Sequence, residues 1–218
     1  MLRKIDSLER LLSAAGVPNA KEDAEALLNK FGSMSYLMQC DSYALQDHTS
    51  CSDKTLHVIR LAAELTSRRI TDRFRPGKKY SSEQLKQFAV GLMLAHTAEN
   101  AYCILLGASG KLIAAEWLGE GIVNSVGISP RKVIELAYKS GAKQVILVHN
   151  HPCGNPNPSS DDIHATMTFR NAADSSGIEL LAHYVVSGFN ICDVMGGLPG
   201  ASSGDDESGI MRVGIPLL

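Results

Sequence analysis

The chain has no apolar run long enough to cross a bilayer. Its best stretch, Phe88 to Ala95 (FAVGLMLA), is eight residues, against the roughly 18 that a spanning helix needs. The first ten residues, MLRKIDSLER, carry charge throughout, so no secretory leader is expected. Cysteine is sparse. Cys40, Cys51, Cys103, Cys153 and Cys192 are odd in number, scattered, and form no CxxC pair. That excludes a cysteine-built zinc finger and suits a reducing, cytoplasmic setting. Neither sign of charge dominates: 21 Lys+Arg against 23 Asp+Glu leave a net charge of −2, which argues against binding nucleic acid through the whole chain. What is present is 44% hydrophobic and 20% charged residues over 218 positions. This is ordinary globular composition, long enough for a core without disulfide staples, and neither fibrous nor disordered.

The charge is unevenly placed. Residues 1–79 hold 13 basic and 10 acidic side chains. Arg60, Arg68, Arg69, Arg73, Arg75, Lys78 and Lys79 form a stripe facing only Glu64 and Asp72. Such a stripe can touch phosphates, although a solvated helix end followed by a charged linker is the plainer reading.

Leu2, Ile5, Leu8, Leu11, Leu12 and Ala15 have helical spacing, and Gly16 and Pro18 end that helix. Residues 20–30 (AKEDAEALLNK) read as a second helix closed by Gly32. Short helices are expected through 33–47, then a longer helix over 53–70 capped by Asp53. The first 70 residues are thus all-helical. The polar RFRPGKK stretch, Arg73 to Lys79, marks a boundary, giving a helical domain over 1–75 and a second domain over 78–196. There the pattern alternates. A capped helix runs from Ser81 to about Thr97 and YCILL (102–106) is a strand. Ser109-Gly110 turns into a second strand through Trp117. Pro130 to Ser140 is a helix stopped by Gly141, and QVILVH (144–149) is a buried-type strand. Asp161 to Ser176 is a helix and Leu180 to Val186 a strand. Helices alternating with strands predict an α/β layered domain. From Gly196 the chain turns small and polar, so 197–218 is expected to be a loose, flexible tail.

Chemistry concentrates in VHNHPCGNPNPSSDDIHAT, residues 148–166. His149 and His151 are two apart at a strand end, so both side chains leave the same face. Two neutral imidazoles so placed can share a divalent ion. The loop 152–158 (PCGNPNP) holds three prolines and a glycine, which stiffens its return. It delivers Ser159 and Asp162 to a helix start, three apart and able to face one point. Asp162 supplies an oxygen ligand. Two nitrogens, one carboxylate and an open position for a water of lowered pKa is the catalytic zinc pattern. The proton shuttle such a water needs is a carboxylate that is not a ligand. Glu99, Glu116 and Glu120 are equal rivals on pattern alone. Ser159 can donate to an oxyanion and can equally cap the helix. Taken singly each signal is modest. HxH pairs occur by chance on surface strands, His164 and His183 fit as surface or packing histidines, and Cys153 fits a small loop residue better than a reactive thiol. A ββα-metal nuclease is rejected, because its His-Asn-His residues are dispersed rather than consecutive.

Together, Glu, His-x-His-Pro, seven positions, then Ser-x-x-Asp resembles the JAMM motif of JAB/MPN metalloproteases. HNHPCGNPNPSSDDI is similar to the signature HNHPSG-x-P-x-PS-x-x-D of their RadC branch. GEGIVNSVGISPRKVIELAYKSGAKQVILVHNHP (119–152) and GIELLAHYVVSG (177–188) agree in length and rhythm. The resemblance covers residues 80–196. It implies a cytidine-deaminase-like three-layer α/β domain. It implies that His149, His151 and Asp162 are zinc ligands, that Glu99 is the motif glutamate and general base, and that Ser159 is the motif serine. FGSMSYLMQCDSYAL (31–45) resembles the helical region that precedes this domain in RadC-like proteins. A glycine-rich helix-hairpin-helix turn, which can hold a DNA phosphate, usually follows there; here that place reads LQDHTSCSDK (45–54) and has no glycine. Gly107 stands where aspartate is common. Ala182 precedes His183 where Asp-His is usual, removing one possible partner of that imidazole.

The resemblance implies a zinc-dependent hydrolase, a metallopeptidase or isopeptidase. A DNA-repair-associated accessory protein binding nucleic acid weakly through 60–79 is the alternative. A non-catalytic, metal-stabilised interaction module is the third. No sequence feature names a peptide substrate, no nucleotide-binding glycine loop is present, and no membrane association is expected.

Overall fold

The computed structural model describes residues 2–40, 45, 51–121, 129–152, 154–197 and 210–214. The first 71 residues are helical where described. Helix α1 (Leu2–Ala14) buries Leu8 and Leu12, one turn apart, and α2 (Ala20–Phe31) buries Ala24, Leu27 and Leu28. Gly32 ends α2 with φ of 72°, a left-handed stop that glycine adopts without a Cβ penalty. Helix α3 (Met34–Gln39) is short and capped by the Ser33 side chain. Helix α4 (Asp53–Thr71) is capped by the Ser52 side chain, which accepts from the Thr55 N–H. The expected cap Asp53 sits one residue inside, where its charge favours the positive helix end. Leu56 and Ile59 of α4 join the α1–α3 cluster, whereas Ala63 and Ile70 belong to the core beneath the sheet. One helix therefore serves two cores.

Helix α5 (Ser82–Met93) has a reciprocal capping box between Ser81 and Gln84. It lies against α4 at Gly91, where a Cβ would stand 2.6 Å from Ile70 Cγ2. The expected helix to Thr97 stops at Met93. The reason lies elsewhere in the chain, because the Asn150 side chain takes the carbonyls of His96 and Ala98 and draws 96–99 into a loop.

Among the described residues six strands make one sheet in the order β2-β1-β3-β4-β5-β6. They are β1 (Asn100–Leu106), β2 (Leu112–Glu120), β3 (Gln144–Asn150), β4 (Glu179–Ser187), β5 (Asn190–Asp193) and β6 (Ile210–Arg212). Gly110, φ 74°, completes the β1–β2 turn. Helix α6 (Pro130–Ser140) precedes β3, and α7 (Ser160–Ser175) crosses from β3 to β4, which pair in parallel. Alternation splits the strands between two cores. Ile104, Leu106, Ile146, Val148 and Tyr184 face α4 and α5; Cys103, Leu105, Val145, Leu147 and Leu180 face α6 and α7 with Phe169. The result is a three-layer α/β/α domain.

The tail is not loose throughout. Ile210–Arg212 pairs with β5, and Val213 is buried under Phe189. Strands of four and three residues carry too little alternation to read in advance. Residues 198–209, the glycine-free stretch at 46–50 and Cys153 lie outside the described residues. Cys103 and Cys192 are buried thiols, whereas Cys40 is disulfide-bonded, a departure from the uniformly reduced set expected. Among the described residues no helix is long and apolar enough to cross a membrane.

Candidate metal centre

Strand β3 aims the site. Val145 and Leu147 point toward α6 and α7, so His149 leaves the same face and is 1% exposed. The His151 N–H donates to the Val186 carbonyl at 2.9 Å, so strand-like pairing continues one residue past β3. The proline-rich loop then returns the chain to α7, whose first turn carries buried Asp162.

The three groups converge. His149 Nε2 lies 3.2 Å from His151 Nε2 and 3.1 Å from Asp162 Oδ1. His151 Nε2 is 3.6 Å from Asp162 Oδ2. A tetrahedral zinc with bonds of about 2.05 Å has ligand edges of about 3.3 Å, so these spacings suit one small ion. Among the described residues this is the group whose ligand atoms all lie within 4.8 Å of one another. The chemistry of the donors agrees. His151 Nδ1 is 3.0 Å from the Asn155 carbonyl. That oxygen can only accept, so Nδ1 carries the proton and Nε2 of the neutral ring presents its lone pair inward. The residues present therefore fit a divalent ion.

Asp162 has two tasks. With Ser159 it forms a capping box: the Ser159 hydroxyl accepts from the Asp162 N–H at 3.1 Å, and Asp162 Oδ2 accepts from the Ser159 N–H at 2.8 Å. Ser159 Oγ also donates to Oδ2 at 2.6 Å, leaving Oδ1 toward His149. Burial pushes the Asp162 carboxyl up, but the imidazoles of His149 and His151 and the Ser159 hydroxyl override it and hold the group far below the usual carboxylate range. Hydrogen bonding to Asp162 raises the pKa of His151 against the opposing effect of burial, with the nearby charges of Asp162 and Glu99 adding to the rise.

The rival carboxylates separate. Glu99, half-buried on the 94–99 loop, acts on His151. Glu120 acts on His96, where burial lowers the pKa, and Glu116 lies opposite Cys103 on β2. Of the three, Glu99 is the one whose charge bears on the ligand His151. Its loop is fastened by Asn150, which faces away from the metal ligands and is fully buried. Asn150 Oδ1 accepts from the Asn100 N–H at 2.7 Å, and its Nδ2 donates to the Ala98 and His96 carbonyls at 3.1 and 3.3 Å.

Sequence reading missed three of these residues: Asn150, Thr166 and the role of His183. Period-two alternation foretold that Asn150 points away from its histidine neighbours; nothing local foretold its partners 50 residues earlier. His183 is no mere packing residue. Its Nε2 is 2.9 Å from His149 Nδ1 and its Nδ1 is 2.6 Å from Thr166 Oγ1. Ala182 stands in the usual aspartate's place, and Asp193 Oδ1 of β5 accepts the His183 backbone N–H at 3.2 Å, which anchors the strand rather than the imidazole. His164 is exposed, as expected.

Residues 79–193 match the sequence profile of the RadC-like JAB domain. A UPF0758 protein of Chromobacterium violaceum is 32% identical over 171 residues, covering 78% of this chain and 76% of that protein. A UPF0758 protein of Pseudomonas fluorescens is 28% identical over 174 residues, 78% of each chain. One of Enterococcus faecalis is 30% identical over 164 residues, 75% of this chain and 71% of the relative.

Proposed function

The chain belongs to the RadC-like JAB domain family, and from that premise we propose that it is a zinc-dependent hydrolase of amide bonds, peptide or isopeptide. The observation that carries the reading is the convergence of His149, His151 and Asp162 ligand atoms within 4.8 Å of one another, with Glu99 close by and outside the ligand set. Zinc held by these three residues would supply Lewis acidity to a scissile carbonyl and lower the pKa of water. Glu99 takes the proton of the attacking water as its oxygen adds to the carbonyl carbon. Glu99 then returns that proton to the departing amine nitrogen as the C–N bond breaks. One water is consumed, and an acid and an amine are produced. Ser159, released from Asp162 Oδ2, steadies the negative carbonyl oxygen.

Metal analysis of the purified protein tests the ligand set: about one zinc per chain is expected, lost in His149→Ala. Glu99→Gln is expected to keep zinc and lose hydrolysis of peptide and isopeptide reporters. Retained hydrolysis removes Glu99 from the mechanism, and an undiminished metal content in His149→Ala removes the ligand assignment. Zinc without any hydrolysis, together with unfolding on chelation, favours the interaction module instead.

The exposure of Arg68, Arg69, Arg73, Arg75, Lys78 and Lys79 favours a second reading, weak contact with nucleic acid. Arg60 does not join them, because it donates to the Met38 carbonyl at 2.8 Å. A labelled duplex at low salt is the test; no binding there ends this reading, because phosphate contacts are strongest under that condition.

A further inference from the structure

Behind the ligands lies a buried line of polar groups that ends on a main-chain oxygen: His149, His183, Thr166, then the Asp162 carbonyl. We propose that Thr166 and His183 are positioning residues that hold the proton of His149 on Nδ1, thereby keeping Nε2 as its metal-binding atom. The inference rests on the metal-site reading and goes beyond it.

Proton counting sets the direction. Thr166 Oγ1 is 2.6 Å from the Asp162 carbonyl and 2.6 Å from His183 Nδ1. A carbonyl oxygen has no proton to give, so the single hydroxyl proton of Thr166 goes to it. Thr166 must then accept from His183, whose Nδ1 carries the hydrogen. His183 is 1% exposed, and its ring hydrogen-bonds the Thr166 hydroxyl and the His149 ring and no carboxylate, so one ring proton, on Nδ1, meets its partners and Nε2 is the acceptor. The 2.9 Å contact with His149 Nδ1 therefore requires a proton on the His149 side. With Nδ1 so occupied, ring atom Nε2, facing His151 and Asp162, is the one that exchanges a proton for a metal.

Position supports this. His183 sits opposite Leu147 in the β3–β4 ladder, two rungs from the His149–Val185 pair and so on the same face of the sheet. Thr166 is one turn along α7 from Asp162. The same helix turn thus supplies one ligand directly and orients another through two intervening groups. Such outer partners fix the ring and tautomer of metal-bound histidines. Here a neutral imidazole and a hydroxyl replace the more usual carboxylate.

Thr166→Val removes the acceptor at nearly constant shape, and Thr166→Ser restores it. Zinc affinity measured by chelator competition should fall about 10–100-fold in the valine variant and recover in the serine variant. Nitrogen-detected NMR of the histidine rings should show, in metal-free and zinc-loaded wild-type protein alike, a proton on His149 Nδ1 and none on His183 Nε2. Thr166→Val should alter that pattern while its circular dichroism remains native. A bare His149 Nδ1 or a protonated His183 Nε2 in the wild type overturns the proposal. So does a folded valine variant that binds zinc as tightly as the wild type. If the wild type binds no zinc yet shows this ring pattern, the metal-site reading fails and the proton line stands.

Discussion

Asn150 shows how much one side chain between two ligands can settle. Each β3 residue faces the opposite side from its neighbours, so the His-Asn-His triplet splits its work between the two faces of the sheet. The two imidazoles meet the ion, and the amide ties down the loop bearing Glu99. Its three hydrogen bonds use both kinds of amide atom, so no other residue of this size reproduces them. Asn150→Asp keeps the acceptor for the Asn100 N–H but turns an oxygen toward the Ala98 and His96 carbonyls. The loss is expected to be about 1–3 kcal/mol, the cost of leaving buried polar groups unpaired. For a chain of this size that lowers Tm by roughly 2–4 °C per kcal/mol. Because the metal ligands lie on the other face, zinc content should survive while hydrolysis falls. A variant that loses zinc and keeps its Tm would show that Asn150 serves the ligands rather than the Glu99 loop.

At the scale of elements, the long regular pieces were legible because their signals are local. The Gly32 and Gly141 stops of α2 and α6 read directly from sequence, since both adopt the left-handed conformation expected there. The spacing of His149, His151 and Asp162 was equally readable, since strand alternation and a helix start are local geometry. What escaped notice depends on distant partners. The end of α5 is set by an asparagine more than 50 residues later, and strands β5 and β6 are too short to show a period. The role of His183 requires the β3–β4 register. The first turn of α7 combines both kinds of information, because Ser159 caps the helix and grips its metal ligand. Ser159→Ala leaves the Ser159 N–H to Asp162 bond in place but removes the hydroxyl from both contacts. Loss of a cap of this type costs about 0.5–2 kcal/mol. Thermal melts with chelator present should show that loss without any contribution from metal, and Ser159→Thr should recover it. Equal melting of the alanine variant and wild type under chelation would mean that the cap contributes nothing to the fold.

For the molecule as a whole, stability should decline on the alkaline side. Burial pushes the Cys103 thiol from 9.0 up to about 12, and burial likewise raises the Tyr184 hydroxyl from 10.0 to about 12. Folding thus favours the protonated forms, and the unfolded chain gives up these protons first. Stability is complete below about pH 9 and falls as pH rises toward 12, because the native state then binds more protons than the unfolded state. Melts between pH 8 and 11 should show Tm falling, and Tyr184→Phe should flatten the part above pH 10. A flat profile in the wild type contradicts this account.

The helical N-terminal region and the sheet are joined through Gln39, which is fully buried at the end of α3. Its amide nitrogen donates to the Met93 carbonyl at 3.3 Å, and its oxygen accepts the Gly188 N–H. Gly188, φ 61°, forms the β4–β5 turn, where a Cβ would stand 2.8 Å from Ser35 Cβ. The preceding residue reaches the metal loop, because Ser187 Oγ donates to the Gly154 carbonyl at 2.5 Å. A continuous path therefore runs from α3 through the turn to the segment between His151 and Asp162. Gln39→Ala leaves the buried Gly188 N–H without its side-chain acceptor, at about 1–3 kcal/mol, while the Met93 carbonyl keeps the His96 N–H at 3.0 Å. If α3 only covers the sheet, the variant should melt earlier with unchanged zinc affinity. The path through Gly188 and Ser187 predicts more: hydrogen exchange at the Gly154 and Asn155 amides should quicken in Gln39→Ala, and zinc affinity should fall with it. The Ser187→Ala variant, which cuts the path beyond the turn, should reproduce the faster exchange while leaving the α3 contacts to Met93 and Gly188 intact.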